Sequence, residues 1–186
     1  MLSSEDNELL CRVGRGTPMG ELLRHYWMPC LPASELPAPD CPPKKVRLLG
    51  ESLIAFRDTR GEVGLLGANC PHRGASLFFG RNEECGLRCS YHGWKYDVTG
   101  RCVDMPNEPE DSTFKDKVRA RAYPCRDVNG VIWTYMGPRE TAPAFPAFEI
   151  NTLPAEQVYP PLMMLDRKST RLNSSHIQKS RMPSSA

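Results

Sequence analysis

Cys70 and His72 stand in N-C-P-H-R-G-A, Cys89 and His92 stand in R-C-S-Y-H-G-W, and sixteen residues separate His72 from Cys89. Two Cys-plus-His pairs in the order C-H then C-H can divide between two irons, with both thiolates on one metal and both imidazoles on the other. Replacing two anionic thiolates by neutral imidazoles makes the second iron easier to reduce and raises the potential above that of an all-cysteine cluster. The chemistry indicated is the handling of single electrons. A zinc site is the competing reading; it fits the order poorly, because zinc fingers place both cysteines before both histidines and zinc ribbons use C-x-x-C knuckles.

Around these residues the sequence resembles the Rieske domain of ring-hydroxylating and O-demethylating oxygenases, above all oxygenase subunits of the phthalate dioxygenase and vanillate O-demethylase type. The resemblance runs from Met1 to about Pro161 and rests on three motifs: T-P-M-G-E-L-L-R-H-Y-W-M-P at Thr17 to Pro29, C-P-H-R-G-A-S-L at Cys70 to Leu77, and C-S-Y-H-G-W-K-Y-D at Cys89 to Asp97. It implies a [2Fe-2S] cluster held by Cys70, His72, Cys89 and His92, with electrons supplied by a flavin and iron-sulfur reductase. In the family, the imidazole edge faces a mononuclear ferrous iron of a neighbouring subunit, which implies a homo-oligomer. Some respiratory relatives brace their ligand loops with a disulfide; Gly74 and Tyr91 show that brace to be absent here. Those high-potential proteins also carry a serine two residues after the second histidine, where this chain has Trp94, while Tyr96 keeps a tyrosine hydroxyl that they share.

The elements that must position these residues read as all-β, short antiparallel sheets behind a short helical N-terminal extension. Ser3 to Val13 and Thr17 to Tyr26 have helical character, with starts at Ser4 near Asn7 and at Thr17 before Pro18; Glu21 lies near capping-box spacing. Pro29 to Pro43 is too rich in proline for a regular ladder and reads as a connector. Strand patterns follow at 45–49, 53–57, 63–68, 87–89, 95–98, 101–105, 118–123 and 130–136, and Asn129-Gly130 marks a hairpin. Both ligand pairs fall on loops after strands. Trp94 is expected to shield the cluster, Gly74 and Gly93 to let backbone N–H groups approach sulfur, and the exposed Arg73 and Arg88 to attract an acidic reductase surface or merely to solvate.

The expected division is 1–43 for the helical extension and connector, 44–137 for the cluster domain, 138–165 for a proline-rich departing segment without a core pattern, and 166–186 for a tail. Within the tail, Arg167 to Ala186 is unpatterned and resembles translated adapter sequence, foreign to the natural chain; a genuine disordered tail is the alternative. The chain has 186 residues and a net charge of +2, which gives no sign of nucleic-acid or anionic-membrane binding. No apolar run is long enough to span a bilayer. Beyond the two ligand cysteines, Cys11, Cys30, Cys41, Cys85, Cys102 and Cys125 show no pairing pattern, which fits a reducing cytoplasm. Cys85 reads as a structural thiol in the connecting loop.

Four histidines are present, and with His72 and His92 committed only His25 and His176 remain. No triad of two histidines and a carboxylate, the site that activates dioxygen, can be assembled from them. Asp104, Glu108, Glu110 and Asp111 read as a solvated acidic loop. The sequence is therefore expected to be the electron-relay part of an oxygenase component that hydroxylates or demethylates aromatic substrates, truncated before its mononuclear Fe(II) domain. The second reading is a stand-alone Rieske ferredoxin, which needs neither the N-terminal helices nor the departing segment.

Overall fold

The structure is a computed structural model, and it describes residues 2–109 and 111–158. The segment expected to be foreign, with His176, lies outside the described residues. Two short helices lead, α1 over Ser4–Cys11 and α2 over Pro18–Arg24. Ser3, one residue before the expected start, caps α1 by accepting the Asp6 N–H. Thr17 caps α2 by accepting the Gly20 N–H, and Pro18 occupies the first turn, where its missing N–H costs nothing. Glu21 accepts the Gly16 N–H at 2.7 Å, a capping box shifted by one residue.

The strands are β1 (Trp27–Pro32), β2 (Lys44–Leu48), β3 (Glu51–Arg57), β4 (Val63–Gly67), β5 (Arg81–Glu83), β6 (Gly86–Arg88), β7 (Lys95–Tyr96), β8 (Cys102–Asp104), β9 (Ala122–Tyr123), β10 (Cys125–Val128) and β11 (Val131–Tyr135). They form three antiparallel sheets in the orders β1-β11-β10, β2-β3-β4-β9 and β5-β6-β7-β8. The all-β expectation holds, with one correction. Part of the proline-rich stretch is a strand, because β1 pairs with β11. It can do so as an edge strand with a register break between Pro29 and Leu31, the setting in which a missing N–H is tolerated. β1, which precedes residue 43, thus shares a sheet with strands that follow it. Asn129 and Gly130 take left-handed φ of 47° and 78° and close the β10–β11 hairpin as a type I′ turn, as their types predict.

Strand β3 lies between two apolar clusters, which explains its unbroken hydrophobic run. Ile54 and Phe56 face a cluster that also contains Leu66, Leu77, Leu87, Trp94, Cys70 and Cys89; Leu53 and Ala55 face a second with Leu36, Leu65, Tyr123 and Ile132. The first cluster is the floor of the site. At the other end, the departing segment packs onto β1 and β11, contrary to the expectation that it carries no core pattern. Trp27 Nε1 donates to the Pro143 carbonyl at 3.0 Å, and the Phe145 ring stands edge-on to Trp27 and Trp133 with centroids 5.4 and 5.7 Å away. Helix α3 (Glu149–Thr152) follows, and the Asn129 amide donates to the carbonyls of Ile150 and Leu153.

Charge ties α2 to the sheets. Arg24 is 4% exposed and lies 3.0 Å from the Glu51 carboxylate, which also accepts from Arg121 at 3.0 Å and from the Tyr123 hydroxyl at 2.7 Å. Burial alone would push Glu51 up, but Tyr123 and the guanidinium groups of Arg121, Arg24 and Arg15 hold its carboxyl below the usual range. Glu51→Gln leaves Arg24 buried and poorly compensated, and is expected to cost about 3 kcal/mol near pH 7. Because the folded-state value is depressed, the stabilisation is present above the unfolded pKa of about 4.3 and is lost as pH falls through the folded value. Urea denaturation across pH checks this; a gap between wild type and variant that fails to narrow in acid contradicts it.

Candidate metal centre

The two loops that carry the Cys-plus-His pairs have one backbone design. The Cys70 N–H donates to the Ala75 carbonyl at 2.8 Å and the Cys89 N–H to the Trp94 carbonyl at 2.9 Å. Four residues after each cysteine, a glycine N–H returns to the cysteine carbonyl: Gly74 to Cys70 at 2.9 Å and Gly93 to Cys89 at 3.1 Å. Both glycines have left-handed φ, 71° and 77°, and a Cβ on Gly93 would lie 2.7 Å from Pro106 Cγ. The same turn thus carries both C-x-H and C-x-x-H spacing. The glycine N–H groups themselves close these turns through carbonyl oxygens, and the N–H groups that reach the Cys89 sulfur are those of Tyr91 and His92 in the same turn.

At the loop tips the side chains meet in two pairs, thiol with thiol and imidazole with imidazole. Cys70 and Cys89 are each 3% exposed. The Cys70 sulfur lies 3.3 Å from the hydroxyl of fully buried Tyr96, whose phenol is pushed up by burial and by this contact. Burial also pushes the Cys89 thiol up, while the N–H groups of Tyr91 and His92 donate to its sulfur and pull the other way. The His72 and His92 ring centroids are 4.5 Å apart. His72 stacks flat on Trp94, at 4.2 Å and 6°, and His92 leans on the exposed Tyr91 at 3.8 Å. Partial burial, then His92 and Arg73, push the His72 imidazole down, toward the neutral form that a metal ligand requires.

One atom discriminates among uses of this arrangement. His72 Nδ1 is buried and has no hydrogen-bond partner. A buried acceptor of this kind is costly unless something occupies its lone pair. Together with the two buried thiols of the same loops, this donor set of two sulfurs and two imidazoles fits a [2Fe-2S] group, which would be held by Cys70, His72, Cys89 and His92. Among the described residues, no three His, Cys, Asp or Glu side chains converge as a site for one ion, whereas structural zinc needs four ligands about one point.

Other expectations are corrected here. Arg88 is not free to attract a partner: its side chain is 13% exposed, its Nε lies 2.6 Å from Glu83, and its Nη1 lies 2.7 Å from Asp104. Asp104 accordingly belongs to an ion pair and not to a merely solvated loop. Arg73 remains exposed beside His72. Cys85 sits with Glu84 in the β5–β6 turn at left-handed φ of 60° and 48°. His25 ends α2 and is exposed. The sequence reading missed Asn107, which donates to the His92 carbonyl at 3.1 Å; an asparagine in an acidic, proline-flanked loop carries no signal of that contact.

Three small antiparallel sheets with paired thiol and imidazole loops at one tip define an iron–sulfur electron-transfer domain. The chain belongs to the Rieske [2Fe-2S] domain family, whose sequence profile matches residues 26–124. It is 49% identical to the 3-chlorobenzoate-3,4-dioxygenase oxygenase subunit of Comamonas testosteroni, over 94% of this chain and 40% of that protein. It is likewise 49% identical to the phthalate 4,5-dioxygenase oxygenase subunit of Pseudomonas putida, over 78% of this chain and 33% of the relative. Among solved structures, dicamba monooxygenase with non-haem iron and dicamba superposes with a TM-score of 0.60 at 29% identity, covering 68% of this chain and 38% of that one. The chain thus spans two fifths or less of the length of these proteins.

Proposed function

We propose that this chain is the electron-relay part of an oxygenase component acting on an aromatic substrate, with Cys70 and Cys89 on one iron and His72 and His92 on the other. The observation that carries the reading is the orphaned, buried His72 Nδ1 in a pair of loops that also bury two thiols, in a chain whose relatives bear oxygenase-subunit names. When bound, the cluster supplies reversible one-electron chemistry. The protein's own groups set the conditions. Trp94 covers one face of His72 and limits water there, the Tyr96 hydroxyl lies within hydrogen-bond reach of the Cys70 sulfur and would donate to its thiolate, and the two glycine turns fix the loop tips.

Electrons would arrive from a flavin and iron-sulfur reductase and leave through the imidazole edge, toward a mononuclear iron held elsewhere in a homo-oligomeric enzyme. A reducing cytoplasm is the proposed location, supported by eight free cysteines; no helix among the described residues is long and apolar enough to cross a membrane. The test is anaerobic reconstitution followed by reductive titration. Uptake of about one electron per chain, with about two irons bound, is expected for a single Rieske cluster. Stoichiometric zinc with no iron overturns the reading. With reductase, dioxygen and an aromatic acid, this chain alone is expected to form no product, since two of its four histidines would be spent on the cluster and the sequence offers no triad of two histidines and a carboxylate from the rest. Iron-dependent product measured by chromatography would contradict that.

A further inference from the structure

Arg88 occupies the base of the second ligand loop, directly before Cys89, yet its side chain reaches past the cysteine to the far arm of the turn. Its Nη1 donates to the Gly93 carbonyl at 2.8 Å, the peptide oxygen immediately after His92. The preceding carbonyl, that of His92 itself, accepts from Asn107 at 3.1 Å. Consecutive carbonyls on the imidazole-bearing arm are therefore held by side chains from outside the turn. The guanidinium is fixed in its own right by Glu83 on β5 and Asp104 on β8, at 2.6 and 2.7 Å, with Glu84 at 3.7 Å. This draws together both outer strands of the four-stranded sheet across β6 and β7. Lys95, opposite Arg88 in the ladder, is neutralised separately by Glu84 at 2.9 Å.

We infer that Arg88, fixed by Glu83 and Asp104, is the positioning residue for His92, acting through the Gly93 carbonyl with Asn107 as its partner on the neighbouring peptide. The inference rests on the proposed ligand role of His92. Its physical basis is that a ligand's orientation is set by what holds its backbone and outer groups, and loss of such support commonly costs about 10–100-fold in metal affinity. A planar fork that bonds two carboxylates and a carbonyl at once cannot be reproduced by an ammonium group.

The experiment uses the full chain, reconstituted with iron and sulfide. Arg88→Met is expected to broaden the EPR signal of the reduced protein and to speed iron release to a chelator about tenfold or more. Arg88→Lys, which keeps the charge and loses the fork, should fall between this variant and wild type. If Arg88→Met yields no holoprotein, Asn107→Ala decides, since Asn107 is exposed and its loss leaves the ion pairs intact; it should broaden the signal in the same sense. Wild-type line shape and release rate in Arg88→Met overturn the inference, even with a lowered thermal midpoint. So does an unchanged Asn107→Ala where Arg88→Met cannot be loaded. A full cluster in His92→Ala, by contrast, refutes the ligand assignment.

Discussion

Serine at Cys70 or Cys89, or alanine at His72 or His92, is expected to reduce cluster content to near zero and to abolish the rhombic EPR signal of the reduced protein. In the proposed assignment each iron would have only two protein ligands, so every substitution would remove half of one metal's attachment. A serine hydroxyl is a poor replacement, because the thiolate is the form that binds and the hydroxyl resists ionisation. Cys102→Ser is the informative control. Its thiol is 4% exposed within the same apolar cluster as Cys70 and Cys89, and burial pushes it up to about 11, which keeps it protonated. It should retain a full cluster. Iron and sulfide analysis with EPR reads all five variants; full content in any of the first four, or loss in the control, contradicts the assignment.

The ligand loops were legible in the sequence because their signal is local: four residues of unusual chemistry at fixed spacing, each pair followed by a glycine able to close the turn. The strands flanking them were legible through alternation, as in β2, and through short apolar runs, as in β3 and β4. What could not be read depends on contacts between distant positions. Arg88 reads as one more surface arginine until β8 brings Asp104 beside it, sixteen residues on. Prolines at 29 and 32 argue against a ladder, and only the edge position against β11 makes β1 permissible. Phe145 lies in a proline-laced segment with no period, and its partners Trp27 and Trp133 come from opposite ends of the folded unit.

Tyr96→Phe is expected to lower the midpoint potential while leaving cluster content intact. The hydroxyl lies 3.3 Å from the Cys70 sulfur, and its bond strengthens as the cluster gains negative charge. If that strengthening amounts to roughly 1.4 kcal/mol, within the scale of hydrogen bonds to charged groups, the shift is about 60 mV for one electron. The wild-type protein should already sit toward the low end of the Rieske range of roughly −150 to +300 mV. The position two residues after His92 holds Trp94, whose ring stacks on His72 and supplies no hydroxyl. A low potential suits a relay that must reduce an oxygen-activating iron, whereas a quinol oxidant needs a high one. Protein-film voltammetry near neutral pH gives both numbers. A midpoint above about +200 mV, near the top of that range, favours a respiratory-type carrier. An unshifted Tyr96→Phe removes the hydroxyl from the account.

The pairing of β1 with β11 also bears on how such a unit travels between genes. Trp27, where the first strand begins, lies in register opposite Tyr135, where the last strand ends, and neighbouring strand ends of this kind leave only a small gap to bridge. Domains with adjacent termini tolerate insertion and transplantation well. A chain joined across these two strand ends would leave the strand order of all three sheets unchanged.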